Sequence, residues 1–103
     1  MKDGLKGHVD LLVLSALAGG PSHGYALAEC LRDRSEGEFD LAEGTIYPAL
    51  YRLERQGLVS SRWDDAGARR RRVYRLTRRG VAELGREKDA FERYVHAVRA
   101  VLA

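Results

Sequence analysis

Hydrophobic and polar positions in the first third of the chain predict two helices joined by a turn. Nearly every side of the first segment, from about Gly7 to Ala18, is apolar, which is typical of a helix that lies in the core. The glycines and proline of GGPSHG end this helix, and Ser22 or His23 caps a second helix that runs to about Arg34. Because no other ligating residue has metal-ligand spacing from His23, we interpret it as a turn or capping residue.

A third helix is predicted after the polar link SEGEFD, and it contains Pro48. Its apolar positions have helical spacing and are expected to face the core: Ile46, Ala49, Leu50 and Leu53. Asp40 and Glu43 have the offset of a capping box at its start, and Gly57 is expected to end it. A proline inside a helix costs roughly 3 kcal/mol, because it lacks an amide proton and clashes with the carbonyl four residues back, here that of Gly44. Pro48 therefore needs an explanation.

A β-hairpin and a long helix complete the pattern. Strand formers dominate Leu58 to Trp63, the sequence DDAGA has turn character, and RRRRVYRLT alternates up to Thr77. Thr77 is the expected N-cap of a final helix that runs to about Leu102, with Gly80 as a weak point near its start. This order of elements predicts a mainly α fold with a β-hairpin, the order of a winged helix-turn-helix.

The final helix is predicted to hold two copies of the chain together. It has an apolar residue at every third or fourth position, with one polar exception: Val81, Leu84, Lys88, Phe91, Val95, Val98 and Leu102. Such a stripe is typical of a coiled-coil seam. Packing on its own domain is the alternative, but a helix of ~25 residues spans ~37 Å, more than a domain this small covers. We therefore predict a winged-helix DNA-binding domain in residues 1–77 and a C-terminal dimerisation helix in residues 78–103 of a homodimer.

Charge is distributed unevenly along the chain. Residues 1–43 hold four Lys/Arg and eight Asp/Glu, residues 44–79 hold ten Arg and three acids, and residues 80–103 are balanced. A contiguous basic segment indicates a face that binds a polyanion. The single cysteine, Cys30, excludes an internal disulfide, and the longest apolar run is far short of the ~20 residues of a membrane span. We expect a cytoplasmic protein with no membrane partner.

The third helix carries hydroxyls and arginines on the side opposite its apolar positions, where an ordinary surface helix has mixed Glu and Lys. Hydroxyls and arginines bind phosphates and base edges. The predicted β-hairpin, here called the wing, is also rich in arginine, and a basic wing can bind the DNA backbone or enter the minor groove. The predicted DNA-binding residues are Thr45, Tyr47, Pro48, Tyr51 and Arg52 on the helix and Arg69, Arg70, Arg71 and Arg72 on the wing. We interpret Pro48 as setting the angle at which the first turn meets DNA; a purely structural kink is the alternative.

Other classes of function are less well supported by the sequence. It has no paired carboxylates, no Cys/His arrangement and no phosphate-binding glycine loop, so no enzyme activity, catalytic residue, metal or cofactor is predicted. A winged-helix protein–protein adaptor is the alternative function, although it has no need for ten arginines in residues 44–79. Trp63, Phe91 and Tyr94 are candidates for a small-molecule effector pocket between subunits, and core packing is the alternative for these aromatic residues.

Five stretches of the sequence have the pattern of one family: LLVLSAL, GPSHGYALA, GTIYPALYRLERQGLV, RRRRVYRLTRRG and the closing helix. On these motifs the chain resembles the PadR-like transcriptional regulators, specifically short members with a single C-terminal helix. The resemblance implies a homodimeric winged-helix repressor that binds an inverted-repeat operator and often releases it when a small molecule binds. The matching positions are Thr45, Tyr47 and Pro48 in the recognition-helix motif and Arg70 to Arg72 in the basic wing. Ala42 departs from the serine or similar cap usual in the family, and we expect Asp40 to replace it.

Overall fold

The computed structural model describes the backbone of residues 2–103 and the side chains from His8 onward. Its elements follow in the order α1 (Lys2–Leu17), α2 (Gly24–Arg34), α3 (Glu43–Arg55), β1 (Val59–Asp64), β2 (Arg71–Leu76) and α4 (Arg78–Leu102). The predicted fold, three helices followed by a hairpin and a long helix, is confirmed. The predicted start of α1 is wrong, because the helix begins at Lys2 rather than near Gly7. The helical backbone includes the mostly polar residues that precede the apolar stripe.

The core lies between α1, α2, α3 and the base of the hairpin. Its fully buried large side chains are Val13, Leu14, Leu27, Ile46, Leu50, Leu53, Val59 and Tyr74. The four α3 positions that were predicted to face inward are all buried, which confirms the predicted inner face of this helix. Burial of each large aliphatic side chain contributes roughly 1.5–3 kcal/mol, and three such residues on α3 more than offset the helical cost of Pro48.

The two ends of α3 differ in how they are capped. Gly57, at φ 76°, ends the helix as expected, in a conformation that glycine adopts without strain. The proposed cap at the other end is wrong: Ala42 is the N-cap and provides no side-chain hydrogen bond. Asp40 lies two residues before the N-cap, and its carboxylate is 3.9 Å from Nη1 of Arg32 instead. Because Glu43 is already the first helical residue, the spacing of a capping box is not realised.

Two other predicted caps are confirmed. His23 is the N-cap of α2, with its Nδ1 accepting from the amide of Ala26 at 3.4 Å. Thr77 is the N-cap of α4: its Oγ1 accepts from the amide of Gly80 at 3.0 Å and donates to the carbonyl of Gly57 at 2.7 Å. Thr77 therefore fixes the start of α4 to the end of α3.

Gly80 is required by packing, which corrects its interpretation as a weak point. A Cβ at this position would lie 2.0 Å from the carbonyl oxygen of Leu58, an atom that also accepts from the amide of Thr77 at 3.1 Å. No real Cβ contact is that short, so only glycine lets the first turn of α4 approach the backbone at the start of the hairpin.

The hairpin is joined to the helix-turn-helix by a short third extended segment. Strands β1 and β2 are antiparallel, with Val59 opposite Leu76 and Asp64 opposite Arg71. On the other edge of β2, Ser22 and Tyr74 exchange two backbone hydrogen bonds of 2.9 and 2.8 Å. The turn before α2 is thus held against the base of the wing.

The long α4 packs on the rest of the chain from its start to about Phe91. Leu84 is buried in the core of its own subunit, so its assignment to a seam between subunits is wrong; the first turns of α4 cross α1 and the hairpin at this point. Further along, Phe91 stacks edge-on against His8 at 5.0 Å between ring centroids. The exposed apolar residues of α4 are Val81, Phe91, Tyr94, Val101 and Leu102, while Val95 and Val98 are half-buried.

Candidate nucleic-acid interface

The first two turns of α3 present a low, open surface. Thr45 and Pro48 are exposed there, and a Cβ built on Gly44 would meet no atom within 4 Å. Tyr51, one turn further, is 53% exposed. Three of the predicted DNA-binding residues therefore lie on one accessible face, where small side chains allow another molecule to come close to the helix backbone.

Tyr47 also belongs to this face but is held in place by α2. A Cβ on Gly24 would lie 2.5 Å from Cζ of Tyr47 and 2.8 Å from its hydroxyl oxygen, so the phenol ring lies directly on the backbone of Gly24. Burial raises the pKa of Tyr47, and the neighbouring Glu43 carboxylate adds to the rise. The phenol therefore stays protonated and can donate a hydrogen bond from a fixed position.

Arg52 has a different environment from the one predicted. Its guanidinium forms a two-point ion pair with Asp10 of α1, through Nη2 with Oδ1 and through Nε with Oδ2. Arg52 follows Thr45 by two helical turns and so lies on nearly the same side of α3, at the edge next to α1, where its side chain is 42% exposed. In this structure Arg52 joins α3 to α1, and its contact with DNA stays a prediction.

The base of the wing is tied to α3 by a polar relay. Arg72 donates from Nε to Ser61 Oγ at 2.8 Å, and Ser61 donates to the Glu54 carboxylate at 2.6 Å. The guanidinium of Arg72 is also 3.9 Å from that carboxylate and lies over the Trp63 ring at 5.2 Å. Glu54, the one acid in α3 beyond its first turn, thus orients a wing arginine.

The remaining wing arginines lie near the tip and along the edge. Arg69 and Arg70 fall in the connection between β1 and β2, where Arg70 covers the Trp63 ring at 4.4 Å and pairs with Asp65 at 3.1 Å. Arg71 reaches across to α2, with its Nη1 2.9 Å from Nε2 of His23. These pairs lie at the surface and involve one carboxylate, Asp65, against three arginines, so the wing remains a basic surface.

A groove of about 500 Å³ lies between α3, the start of α2 and the wing. It is lined by residues of the predicted interface together with four that sequence reasoning left out of the site: His23, Tyr25, Glu43 and Tyr74. Tyr74 is fully buried, burial raises its pKa, and its hydroxyl has no hydrogen-bond partner among the described residues. The stretch HGY beside the helix start was the available signal for His23 and Tyr25; nothing in the spacing indicated that β2 would meet them.

The candidate effector residues are not brought together within one chain. Trp63 lines the groove beside the wing, whereas Phe91 and Tyr94 line a separate cleft of about 230 Å³ between α1 and α4, together with His8, Leu11 and Glu87. Because the predicted effector pocket lies between subunits, it stays a prediction for these three residues.

Two classes of site are not found in the described part of the chain. Its His, Cys, Asp and Glu side chains form no group of three that could hold a metal ion. None of its helices combines the length and the apolar character needed to cross a membrane.

Comparison with known proteins identifies the family. The pattern of the transcriptional regulator PadR-like family matches residues 13–86, from near the end of α1 to the first turns of α4. The chain belongs to the PadR-like family. The transcriptional regulator Rv3488 of Mycobacterium tuberculosis is 35% identical over 98 residues, which are 95% of this chain and 89% of that protein.

Solved structures agree with this PadR-like assignment. A PadR family regulator from Eggerthella lenta superimposes with a TM-score of 0.86 at 34% identity, over 97% of this chain and 86% of that one. PadR of Bacillus subtilis, solved in complex with operator DNA, has a TM-score of 0.67 at 25% identity, over 74% of this chain and 44% of that one. The winged-helix architecture is therefore that of PadR-like transcriptional regulators.

Proposed function

We propose that this PadR-like regulator represses transcription by binding duplex DNA with α3 in the major groove and the wing on the adjacent backbone. The observation that carries the proposal is that Tyr47 and Tyr51 of α3 line the same groove as the wing arginines, Arg69 to Arg72. An α-helix fits the major groove, and arginines neutralise phosphates on either side of it. The operator complex of B. subtilis PadR supports DNA as the partner.

We further propose that the chain acts as a homodimer joined through α4. Val101 and Leu102 are 84% and 78% exposed, and Phe91 and Tyr94 continue the apolar surface toward the core. A second copy is the partner that matches this stripe, and two-fold symmetry would present two α3 helices to the two halves of an inverted repeat. In such a dimer the cleft at Phe91 and Tyr94 adjoins the subunit interface, where a small-molecule effector would act on dimer geometry.

Salt-dependent DNA binding tests the main proposal. Fluorescence anisotropy with a labelled random duplex should show affinity falling steeply between about 50 and about 200 mM salt. Replacing Arg70, Arg71 and Arg72 together by alanine should lower the salt slope by roughly 3 units if each contacts a phosphate. Arg86→Ala is the control, because Arg86 lies on α4 and pairs with Glu83. A protein–protein adaptor would bind duplex DNA weakly at every salt concentration, and the triple substitution would then change nothing.

Sedimentation tests the dimer. Val95→Asp puts a charge on the proposed seam and should give helical monomers, as judged by circular dichroism. His96→Asp is the matched control on the face of α4 that bears Asp89, Glu92 and Arg93, and it should remain a dimer. A wild-type chain that sediments as a monomer at micromolar concentration would contradict the seam.

A further inference from the structure

His23 lies in contact with two groups that only donate hydrogen bonds. Its Nδ1 faces the backbone N–H of Ala26 at 3.4 Å, and its Nε2 is 2.9 Å from Nη1 of Arg71. Both partners are pure donors. A neutral imidazole carries a proton on one ring nitrogen and an imidazolium carries one on each, so at least one contact always places two donors face to face.

The helix cap decides which contact lacks an acceptor. An N-cap side chain must accept from an amide of the first turn, and here Nδ1 fills that role toward Ala26. In the tautomer that keeps this cap, the proton lies on Nε2, where it points at the guanidinium of Arg71. Two donors that converge in this way form a binding site for an anion, whose oxygen atoms would accept a hydrogen bond from each.

The surroundings of this pair also favour a polar, negatively charged occupant. Both residues line the groove between α2, α3 and the wing, where three further arginines, Arg69, Arg70 and Arg72, outnumber the one carboxylate, that of Glu43. The amides of Gly24 and Tyr25, the first two residues of α2, have no intrahelical acceptor and add the positive end of the helix dipole.

We propose that this end of the groove binds a phosphate of the DNA backbone, with His23 Nε2–H and the Arg71 guanidinium as its two side-chain donors. The proposal rests on the proposed function, since it assigns a subsite within the same DNA-binding face. A phosphodiester is the occupant that the location selects, because the groove separates α3 from the wing and a DNA strand that meets both must cross it. His23 is then a binding residue as well as a helix cap.

The two roles of His23 can be separated by one substitution. His23→Asn retains an excellent N-cap acceptor but removes the Nε2 donor, so the melting temperature should stay the same or rise while affinity for random duplex DNA falls about tenfold. Arg71→Gln should weaken binding and reduce the salt slope by about 1 unit. If both groups hold one phosphate, the double variant should lose less affinity than the product of the two single losses. His96→Asn, a histidine change on α4, is the control and should bind as wild type does.

The outcomes distinguish this subsite from the proposed function as a whole. His23→Asn binding DNA as tightly as wild type, while the triple arginine variant is impaired, would overturn the phosphate subsite alone. Fully multiplicative losses in the double variant would also overturn it, because His23 and Arg71 would then act at separate places. If the occupant were a free anion, inorganic phosphate at constant ionic strength would raise the melting temperature of wild type but not that of His23→Asn. The two proteins would then bind DNA with equal affinity, which would overturn a DNA phosphate as the occupant. Absence of DNA binding by wild type would instead contradict the proposed function.

Discussion

Two glycines on α4 should respond to alanine with opposite signs. In an exposed helix interior, Gly→Ala stabilises by up to ~1 kcal/mol. That gain is expected at Gly85, where a Cβ would meet nothing within 4 Å. At Gly80 the new Cβ would lie 2.0 Å from the carbonyl oxygen of Leu58, and the backbone must move to relieve the overlap. Overpacking costs roughly 1–3 kcal/mol, and loss of the Thr77–Leu58 hydrogen bond adds about 1 kcal/mol. After the helical gain is subtracted, Gly80→Ala should be less stable than wild type by ~1–3 kcal/mol.

Thermal and urea unfolding followed by circular dichroism measure both variants. At ~4–8 °C per kcal/mol, Gly80→Ala should melt clearly below wild type and Gly85→Ala slightly above it. All three proteins must be compared at one concentration, because association shifts the melting temperature. If Gly80→Ala were as stable as Gly85→Ala, the close approach of α4 to the start of the hairpin would be refuted, and helix propensity alone would govern both positions.

Three further substitutions probe the interior and α3. Tyr74→Phe removes a buried hydroxyl without a partner among the described residues and should stabilise the DNA-free protein by roughly 1 kcal/mol in urea unfolding; a loss of stability would show that the hydroxyl is satisfied. Burial, followed by the Glu83 and Asp10 carboxylates, raises the pKa of Glu87, and His8 lowers it by less. Folding therefore disfavours the charged form of Glu87, so the stability of the protein falls as the pH rises. Glu87→Gln should therefore stabilise at pH 7 but not below about pH 4.5, and a gain independent of pH would contradict this. Pro48→Ala restores an amide to α3 and should give a protein at least as stable that binds operator DNA more weakly; equal binding would make the proline purely structural.

The order of elements and the inward face of α3 could be predicted from the sequence because they depend on local spacing. A period of 3.6 over Ile46, Leu50 and Leu53, and a threonine just before the last apolar stripe, carry that information within a single segment. The position of the wing next to α3 likewise followed from the order of helices and strands.

The errors involve residues that are distant in sequence. The ion pair of Arg52 was missed, since spacing cannot show that Asp10 of α1 would lie within reach of its guanidinium. The close approach that requires Gly80 and the burial of Leu84 depend on where α4 crosses the rest of the subunit. The cap of α3 was wrong because the helix starts at Glu43, one of the boundary details that propensity fixes least well.

The backbone bridge between Ser22 and Tyr74 divides the wing into two parts of different local stability. At its base, β2 is hydrogen-bonded on both edges, so Tyr74 can be released only if the turn before α2 opens as well. The base of the wing and the start of the helix-turn-helix should therefore unfold as one cooperative unit, with slow amide hydrogen exchange. The connection through Arg69 and Arg70 has no such second edge and is free to open alone. In the proposed DNA complex, the tip would adapt to the contour of a DNA strand without loosening α3.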